Sequence, residues 1–142
     1  MTVRDYLSQA HRIDKRINSK LEQVQSLREL ATKATATLSD TPVGSGRNTQ
    51  SMSEIIAKMI DLENEINADI DRLVDLKREI VQLIKRVTDP EHQTLLELRY
   101  LCFKPWEQIA VALGYSIQHT YRLHDAAIKS FSRLFKVESK CD

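Results

Sequence analysis

Hydrophobic residues recur three and four positions apart along most of the chain, which is the period of an amphipathic α-helix. In the first segment the pattern predicts one long helix from Thr2 to Leu38, which begins with a capping-box-like pair of Thr2 and Asp5. Its apolar positions are Leu7, Ala10, Ile13, Ile17, Leu21, Val24, Leu27, Leu30, Ala31, Ala34 and Leu38. We therefore expect a helix that buries one wide face.

A second long helix is predicted to begin at Ser51, where Ser51 and Glu54 form a capping box. Its heptad seam comprises Met52, Ile55, Met59, Leu62, Ile66, Asp69, Leu73, Leu76, Ile80, Leu83 and Val87. Asp69 is the single polar residue in this coiled-coil pattern, and such a residue can set register or partner choice. Between the two helices, residues 39–50 are rich in Gly and polar residues and are predicted to form a loop.

Opposite charges on the two long helices favour their pairing. Residues 1–38 carry seven Lys or Arg and four Asp or Glu, a net charge of +3, whereas residues 53–89 carry six and nine, a net charge of −3. Helices of similar length and opposite charge, joined by one loop, are expected to fold back as an antiparallel hairpin. Because such a hairpin exposes much of its apolar surface, residues 1–88 are predicted to pack against a second copy or another partner.

The remaining residues, 89–142, are predicted to form a second domain of three to four helices. Asp89 and Pro90 suit the start of its first helix, Pro105 opens the segment WEQIAVAL, and Ser116 caps a last helix. The fold class predicted for the whole chain is all-α, with a long antiparallel helical hairpin (coiled coil) followed by a helix-turn-helix domain.

The segment WEQIAVALGYSIQHTYRLH has the residue types of a helix-turn-helix. Ala110 supplies a small residue where two helices would cross, and Gly114, four positions later, supplies a residue that tolerates a positive φ in the turn. The core-facing residues of the last helix would then be Thr120, Leu123, Ala127 and Phe131, joined from the first motif helix by Ile109 and Leu113. The preceding helix would cover them with Leu95, Leu98 and Leu101. In this arrangement the last helix would enter the major groove of DNA.

The opposite face of the last helix carries the candidate DNA contacts. The base-facing candidates are Ile117, Gln118, Tyr121 and Arg122; Gln118 can bond an adenine edge, and Arg122 a guanine edge or a phosphate. The phosphate candidates are Lys104, Ser116, His119 and Lys129. The whole chain has 21 Lys and Arg against 20 Asp and Glu, but residues 116–136 carry four basic residues and one acidic residue, a local net charge of +3.

Other kinds of site find little support in the sequence. The spacing of His119, His124, Cys102 and Cys141 fits no zinc motif, so no metal site and no cofactor are expected. No nucleophile–base pair or glycine-rich phosphate loop is present, so an enzyme is not expected. The two cysteines, the charged start of the chain and the lack of a membrane-length apolar run predict a reduced, cytoplasmic protein without a membrane partner.

The stretch DPEHQTLLELRYLCFKPWEQIAVALGYSIQHTYRLHDAAIKSF resembles region four of the sigma factors, the module that reads an upstream promoter element. The shared features are the "LRY" helix, the "WEQIA" helix, the "LGYS" turn and the helix that follows. The resemblance implies base contacts at Ile117, Gln118, Tyr121 and Arg122, and RNA polymerase as a partner. Ile117 and Tyr121 stand where sigma factors typically carry Arg and Glu, which points to a different target sequence.

The whole chain resembles a family of small phage and prophage proteins of Gram-positive bacteria. These proteins carry a domain of unknown function and are grouped with sigma-like or ArpU/RinA-type late-gene regulators. The resemblance rests on the segments DYLSQAHRIDKRINSKLEQVQSLRELATKATATLSD, IIAKMIDLENEINADIDRLVDLKREI and YRLHDAAIKSF. It implies a phage-encoded regulator that acts in the cytoplasm of the bacterial host cell.

We therefore expect a sequence-specific regulator of transcription that binds double-stranded DNA, with a hairpin that drives formation of a homodimer or higher oligomer or contacts RNA polymerase. Two alternatives remain open at this point. The first is a phage DNA-packaging adaptor similar to a small terminase subunit, which would combine the same elements in a ring. The second is a sigma-like protein-interaction module that does not bind DNA.

Overall fold

The computed structural model describes residues 2–40 and 45–141, with side chains over residues 2–36 and 51–135. Its elements are α1 (Val3–Asp40), α2 (Ser45–Ile84), α3 (Pro90–Tyr100), α4 (Trp106–Leu113) and α5 (Ile117–Cys141). The described part of the chain contains no strand, so the all-α fold class predicted from the sequence is confirmed.

Two helix starts form as the sequence predicts. At the start of α1 the Asp5 N–H donates to Thr2 Oγ1 at 3.1 Å, and the Thr2 N–H donates to Asp5 Oδ2 at 3.3 Å. At the start of α3 the Asp89 carboxylate accepts from the Glu91 N–H at 2.9 Å, with Pro90 in the first turn. These bonds satisfy N–H groups that have no partner within the helix, so each helix begins at its cap.

Other helix ends differ from the prediction. Because α2 begins at Ser45, Ser51 and Glu54 lie inside the helix and do not cap it. The loop predicted over residues 39–50 is also wrong at both ends, since α1 continues to Asp40; residues 41–44 lie outside the described residues. The last helix was expected to end near Phe135 and continues to Cys141. Polar residues of moderate helix propensity extend a helix at little cost once an apolar face has anchored it.

The chain forms two compact units, Asp14–Arg72 and Met1–Ile13 together with Leu73–Asp142. In Asp14–Arg72, α1 and α2 pack antiparallel, with Ile17, Val24 and Ile66 buried. The α2 residues predicted for the seam in this unit are all buried or half-buried, namely Met52, Ile55, Met59, Leu62, Ile66 and Asp69. The heptad read from the sequence is therefore the packing seam of α2.

The α1 side of the seam requires a correction. Leu21 and Leu30, predicted to be buried, are each about half exposed, at 49% and 50%. Lys20 takes the position between Ile17 and Val24, and its Nζ donates to Asp69 Oδ2 at 2.6 Å. A spacing of three or four residues allows either Lys20 or Leu21 at this position. The carboxylate opposite selects the lysine, because a buried charge requires a partner.

The second unit has one core, to which every helix contributes. Its buried residues are Leu7, Ala10, Ile80, Leu83, Ile84, Val87, Leu95, Leu96, Tyr100, Ile109, Ala127 and Phe131. Leu95 of α3 is buried as predicted. Leu98, and Leu101 just after the helix, are only partly buried, and Leu96 and Tyr100 take their place in the core. The first turns of α1 and the last turns of α2 thus share a core with α3, α4 and α5.

Candidate nucleic-acid interface

The turn between α4 and α5 is built on Gly114. Gly114 has φ +76° and ψ +30°, and its N–H donates to the Ala110 carbonyl at 2.9 Å. The Tyr115 N–H donates to the same carbonyl at 3.0 Å. A Cβ at position 114 would meet no atom within 4 Å, so the left-handed backbone rather than crowding requires glycine here. Ala110 is buried, as a helix crossing requires.

Ser116 fixes the start of α5. Its Oγ accepts from the His119 N–H at 3.1 Å, and its carbonyl accepts from Thr120 Oγ1 at 2.8 Å. Thr120 is fully buried, as are Ala127 and Phe131 further along the helix. These inward residues set the rotation of α5 and therefore determine which face is exposed.

The exposed face of α5 carries the base-facing candidates. Gln118 and Arg122 are exposed one turn apart, Tyr121 is 44% exposed beside them, and Ile117 is half-buried. Residues three and four apart are neighbours on a helix, so Gln118, Tyr121 and Arg122 form one patch on the first two turns. All three are exposed side chains that carry hydrogen-bonding groups, which is the chemistry needed to contact base edges.

The phosphate candidates lie in two parts of the structure, the start and exposed side of α5 and the segment before α4. Ser116, His119 and Lys129 are exposed on or next to α5, whereas Lys104 is half-buried in the segment before α4. The Lys104 carbonyl accepts from Arg99 Nη1 at 3.0 Å, which holds that segment against α3. The His119 ring lies 4.4 Å from the Tyr115 ring. Three of the four candidates are thus held by α5 or its cap.

Trp106, the first residue of α4, contacts both α3 and α5. Its ring contacts two rings of α5 edge-on, with centroids 5.3 Å from Tyr121 and 4.7 Å from His124. The Arg99 guanidinium of α3 lies 4.5 Å from the Trp106 ring centroid, within cation–π range. These contacts anchor the start of α4 against α3 and α5, and they hold Tyr121 in the exposed patch.

His124 lies beneath the exposed face of α5. Its Nε2 is 2.6 Å from the Tyr100 hydroxyl, and the residue is buried. Burial, and after it the charge of the nearby Arg4, lowers the pKa of His124 from 6.5 to about 4. His124 is therefore neutral near pH 7 and adds no positive charge to the surface.

Arg4, near the start of α1, belongs to this region although it is not among the residues predicted for it from the sequence. Arg4 Nη2 donates to Asp125 Oδ1 at 2.6 Å, and both side chains are more than half exposed. Asp125 is the one acidic residue between Ser116 and Phe135, so this pair offsets the acidic charge that lies among Arg122, Lys129 and Arg133 on this stretch of α5. No local signal could have revealed the contact, because the two residues are 121 positions apart in sequence.

Neither a metal cluster nor a membrane-spanning helix occurs in the part of the chain that the structure describes. Among the described residues, no three His, Cys, Asp or Glu side chains lie close enough together to hold a metal ion. None of the helices over residues 2–40 and 45–141 combines the length and apolar character needed to cross a membrane.

Comparison with known proteins gives one match. The sequence matches DUF1492, a family described as a protein of unknown function, over residues 33–132. The match begins near the end of α1 and extends into α5, so it includes the turn at Gly114 and the exposed patch. No curated protein and no solved structure matches the chain. Since the matched residues make up more than two thirds of the sequence, the chain belongs to the DUF1492 family.

Proposed function

We propose that this protein is a phage-encoded transcription regulator that binds double-stranded DNA in a sequence-specific manner through α4 and α5. The observation that carries the proposal is the division of α5 into two faces. Thr120 and His124 are buried against the core, while Gln118 and Arg122 are exposed on the first two turns after a glycine turn. This is the arrangement that places the start of a recognition helix in the major groove.

In this proposal the exposed patch reads base edges. Gln118 bonds the N6 and N7 edge of an adenine, and Arg122 bonds the O6 and N7 edge of a guanine or a neighbouring phosphate. Ile117 and Tyr121 offer apolar surface, which suits the methyl group of thymine. The departure from the Arg and Glu typical of sigma factors thus corresponds to a preference for A·T pairs at these positions.

Phosphate contacts would position the helix on the duplex. Ser116 and the free N–H groups at the start of α5 suit one phosphate, and His119 and Lys129 suit others along the same helix. The pairing of Arg4 with Asp125 supports this role, because it offsets the acidic side chain that would repel the backbone. The resemblance to region four of the sigma factors supports promoter DNA as the target and RNA polymerase as a further partner.

The test begins with selection of bound sequences from random double-stranded DNA, followed by gel-shift titration on the selected site. Arg122→Ala should weaken specific binding by about 1–3 kcal/mol, because it removes one base contact. Arg28→Ala is the matched control, since Arg28 is an exposed arginine of α1. We expect this control to leave specific binding unchanged.

Salt and mass measurements separate the proposal from its alternatives. Binding should weaken linearly in log K as log salt concentration rises, because phosphate contacts release counterions. Failure to bind any DNA at low ionic strength would favour a protein-interaction module. A closed ring of many copies in light scattering would favour a packaging adaptor.

A further inference from the structure

Helix α2 carries a second apolar stripe beside its packing seam. Ile56, Ile60, Ile70 and Val74 are each between 41% and 51% exposed. Glu63 and Asn67, both exposed, lie between the two apolar pairs. The six positions follow one another at spacings of four, three, four, three and four residues, so they lie along one side of the helix.

The stripe reads the same from both ends. Two apolar residues are followed by two polar residues and then by two apolar residues. If a second copy of α2 packs against the stripe in the antiparallel direction, each apolar residue meets an apolar residue. The opposed pairs in that arrangement are Ile56 with Val74, Ile60 with Ile70, and Glu63 with Asn67.

The polar pair distinguishes the antiparallel from the parallel direction. In the antiparallel arrangement the Glu63 carboxylate meets the Asn67 amide, which can donate a hydrogen bond to it. In a parallel arrangement Glu63 would face Glu63 of the second copy, and two like charges directly opposed are destabilising. The polar pair is therefore complementary to itself in only one of the two directions, the one in which the Glu63 carboxylate accepts a hydrogen bond from the neutral Asn67 amide.

Helix α1 widens the same apolar edge. Leu21 follows Lys20, and Ile70 follows Asp69, the two residues that pair across the antiparallel seam. When two helices pack antiparallel, the residues that directly follow a pair of facing residues lie on the same side of the helix pair, so Leu21 and Ile70 share one side. Leu21 is half exposed, so it extends the apolar surface next to Ile70, whereas Leu30 emerges on the other side of α1.

We propose that this stripe is the interface with a second copy of the chain, in a two-fold symmetric dimer whose α2 helices run antiparallel. Ile60 of each copy packs against Ile70 of the other, and two Glu63–Asn67 hydrogen bonds flank the two-fold axis. Such an interface is isologous, since the same surface serves both copies. The dimer does not depend on DNA, so its test is separate from that of the proposed function.

The first experiment measures mass against concentration by sedimentation equilibrium, without DNA. The unchanged protein should sediment as a dimer. Ile60→Glu should sediment as a monomer, because it places a carboxylate opposite an apolar residue of the second copy twice per dimer. Leu30→Glu is the matched control, since Leu30 is as exposed as Ile60 and lies away from the stripe, and it should remain a dimer. Circular dichroism shows whether each variant keeps its helices.

The second experiment tests the direction of the helices. Asn67→Lys should tighten the dimer by about fivefold in Kd, because each new lysine faces Glu63 of the second copy. Asn67→Asp should weaken it by a similar factor. In a parallel dimer, Asn67→Lys would instead place two lysines opposite each other and weaken association. Such weakening, or a monomer at every concentration of the unchanged protein, would overturn the proposal.

Discussion

Asp69 shows how a single residue sets the register of the two long helices. Its side chain is 9% exposed, and the Lys20 ammonium at 2.6 Å supplies the opposite charge. The hydrogen bond from Lys20 lowers the pKa of Asp69 below 3.8 against the opposing effect of burial, and Arg16 and Arg72 act in the same direction as Lys20. A shift of α1 along α2 would separate this pair and leave a buried charge, so the pair disfavours other registers.

Replacing Lys20 by Met should destabilise the protein by about 1–3 kcal/mol near neutral pH, because Asp69 loses its main hydrogen-bond donor. A carboxylate whose pKa is lowered on folding stabilises the protein above its unfolded pKa, 3.8, and that stability is lost as the pH falls through the folded pKa. The difference between the variant and the unchanged protein should therefore shrink below about pH 4.

Urea denaturation across that pH range measures the effect. Lys15→Met, at an exposed position of α1, is the control and should change the free energy of unfolding little at any pH. An equal loss for Lys20→Met at neutral and acid pH would contradict the ion-pair explanation.

His124 makes a second pH-dependent contribution to the free energy of unfolding. Folding keeps this side chain neutral, whereas it keeps Asp69 charged. The groups around it are Tyr100, Trp106, Arg4, Arg99 and Asp125. Because its pKa falls from 6.5 to about 4 on folding, the unfolded chain takes up a proton first as the pH drops. The contribution of His124 to the free energy of unfolding is complete above pH 6.5 and is lost as the pH falls from 6.5 toward 4.

His124→Gln should flatten the fall in the free energy of unfolding between pH 6.5 and pH 4, since Gln does not titrate. Gln can keep a hydrogen bond to the Tyr100 hydroxyl. Denaturation at a series of pH values checks this, with the exposed His119→Gln as control. An unchanged slope for His124→Gln would show that another group dominates.

At the scale of elements, the turn between α4 and α5 decides how the two helices cross. Its geometry depends on the φ of +76° at Gly114 and on the bonds from Gly114 and Tyr115 to the Ala110 carbonyl. The Tyr115 hydroxyl donates to Glu91 of α3 and ties the turn to that helix. This bond raises the pKa of Tyr115, because the carboxylate favours the protonated phenol.

Gly114→Ala should destabilise the protein by about 1 kcal/mol, since an L-residue with a Cβ resists the left-handed conformation. The space around the position is open, so strain in the backbone is the whole cost. Gly114→Asn should lose less, because Asn visits that conformation more readily. Thermal unfolding compares the two variants, and an equal loss would point to a steric rather than a conformational cause.

At the scale of the whole molecule, the proposed dimer and the proposed DNA-binding surface have a joint consequence. Two linked recognition helices raise the affinity for DNA that carries two half-sites, because the second contact forms within the same complex. The stripe on α2 contributes no residue to the exposed face of α5, so any effect of a stripe variant on DNA binding must act through association.

Ile60→Glu should therefore weaken binding to a site with two half-sites and leave binding to a single half-site unchanged. Gel-shift titration on the two DNA fragments gives both affinities, with Leu30→Glu as the control that keeps the dimer. Equal weakening on both fragments would indicate damage to the DNA-binding unit rather than loss of the second copy.

Most of the candidate site could be placed from the sequence, because its signals are local. The positive φ at Gly114, the Ser116 cap and the exposed positions of Gln118 and Arg122 follow from residue type and helical period. The Arg4–Asp125 pair could not be placed, since no local pattern links residues so far apart in the chain.

The sequence by itself determined the helical class, the caps at Thr2 and Asp89, and the spacing of the α2 seam, because these depend on residues within one or two turns of each other. Only the tertiary structure showed that a second apolar stripe on α2, beside the seam, remains about half exposed. It also decided that Lys20 rather than Leu21 faces Asp69, and that the core joins both ends of the chain. The physical reason is that burial and ion pairing depend on what lies opposite a side chain, and that partner is distant in sequence.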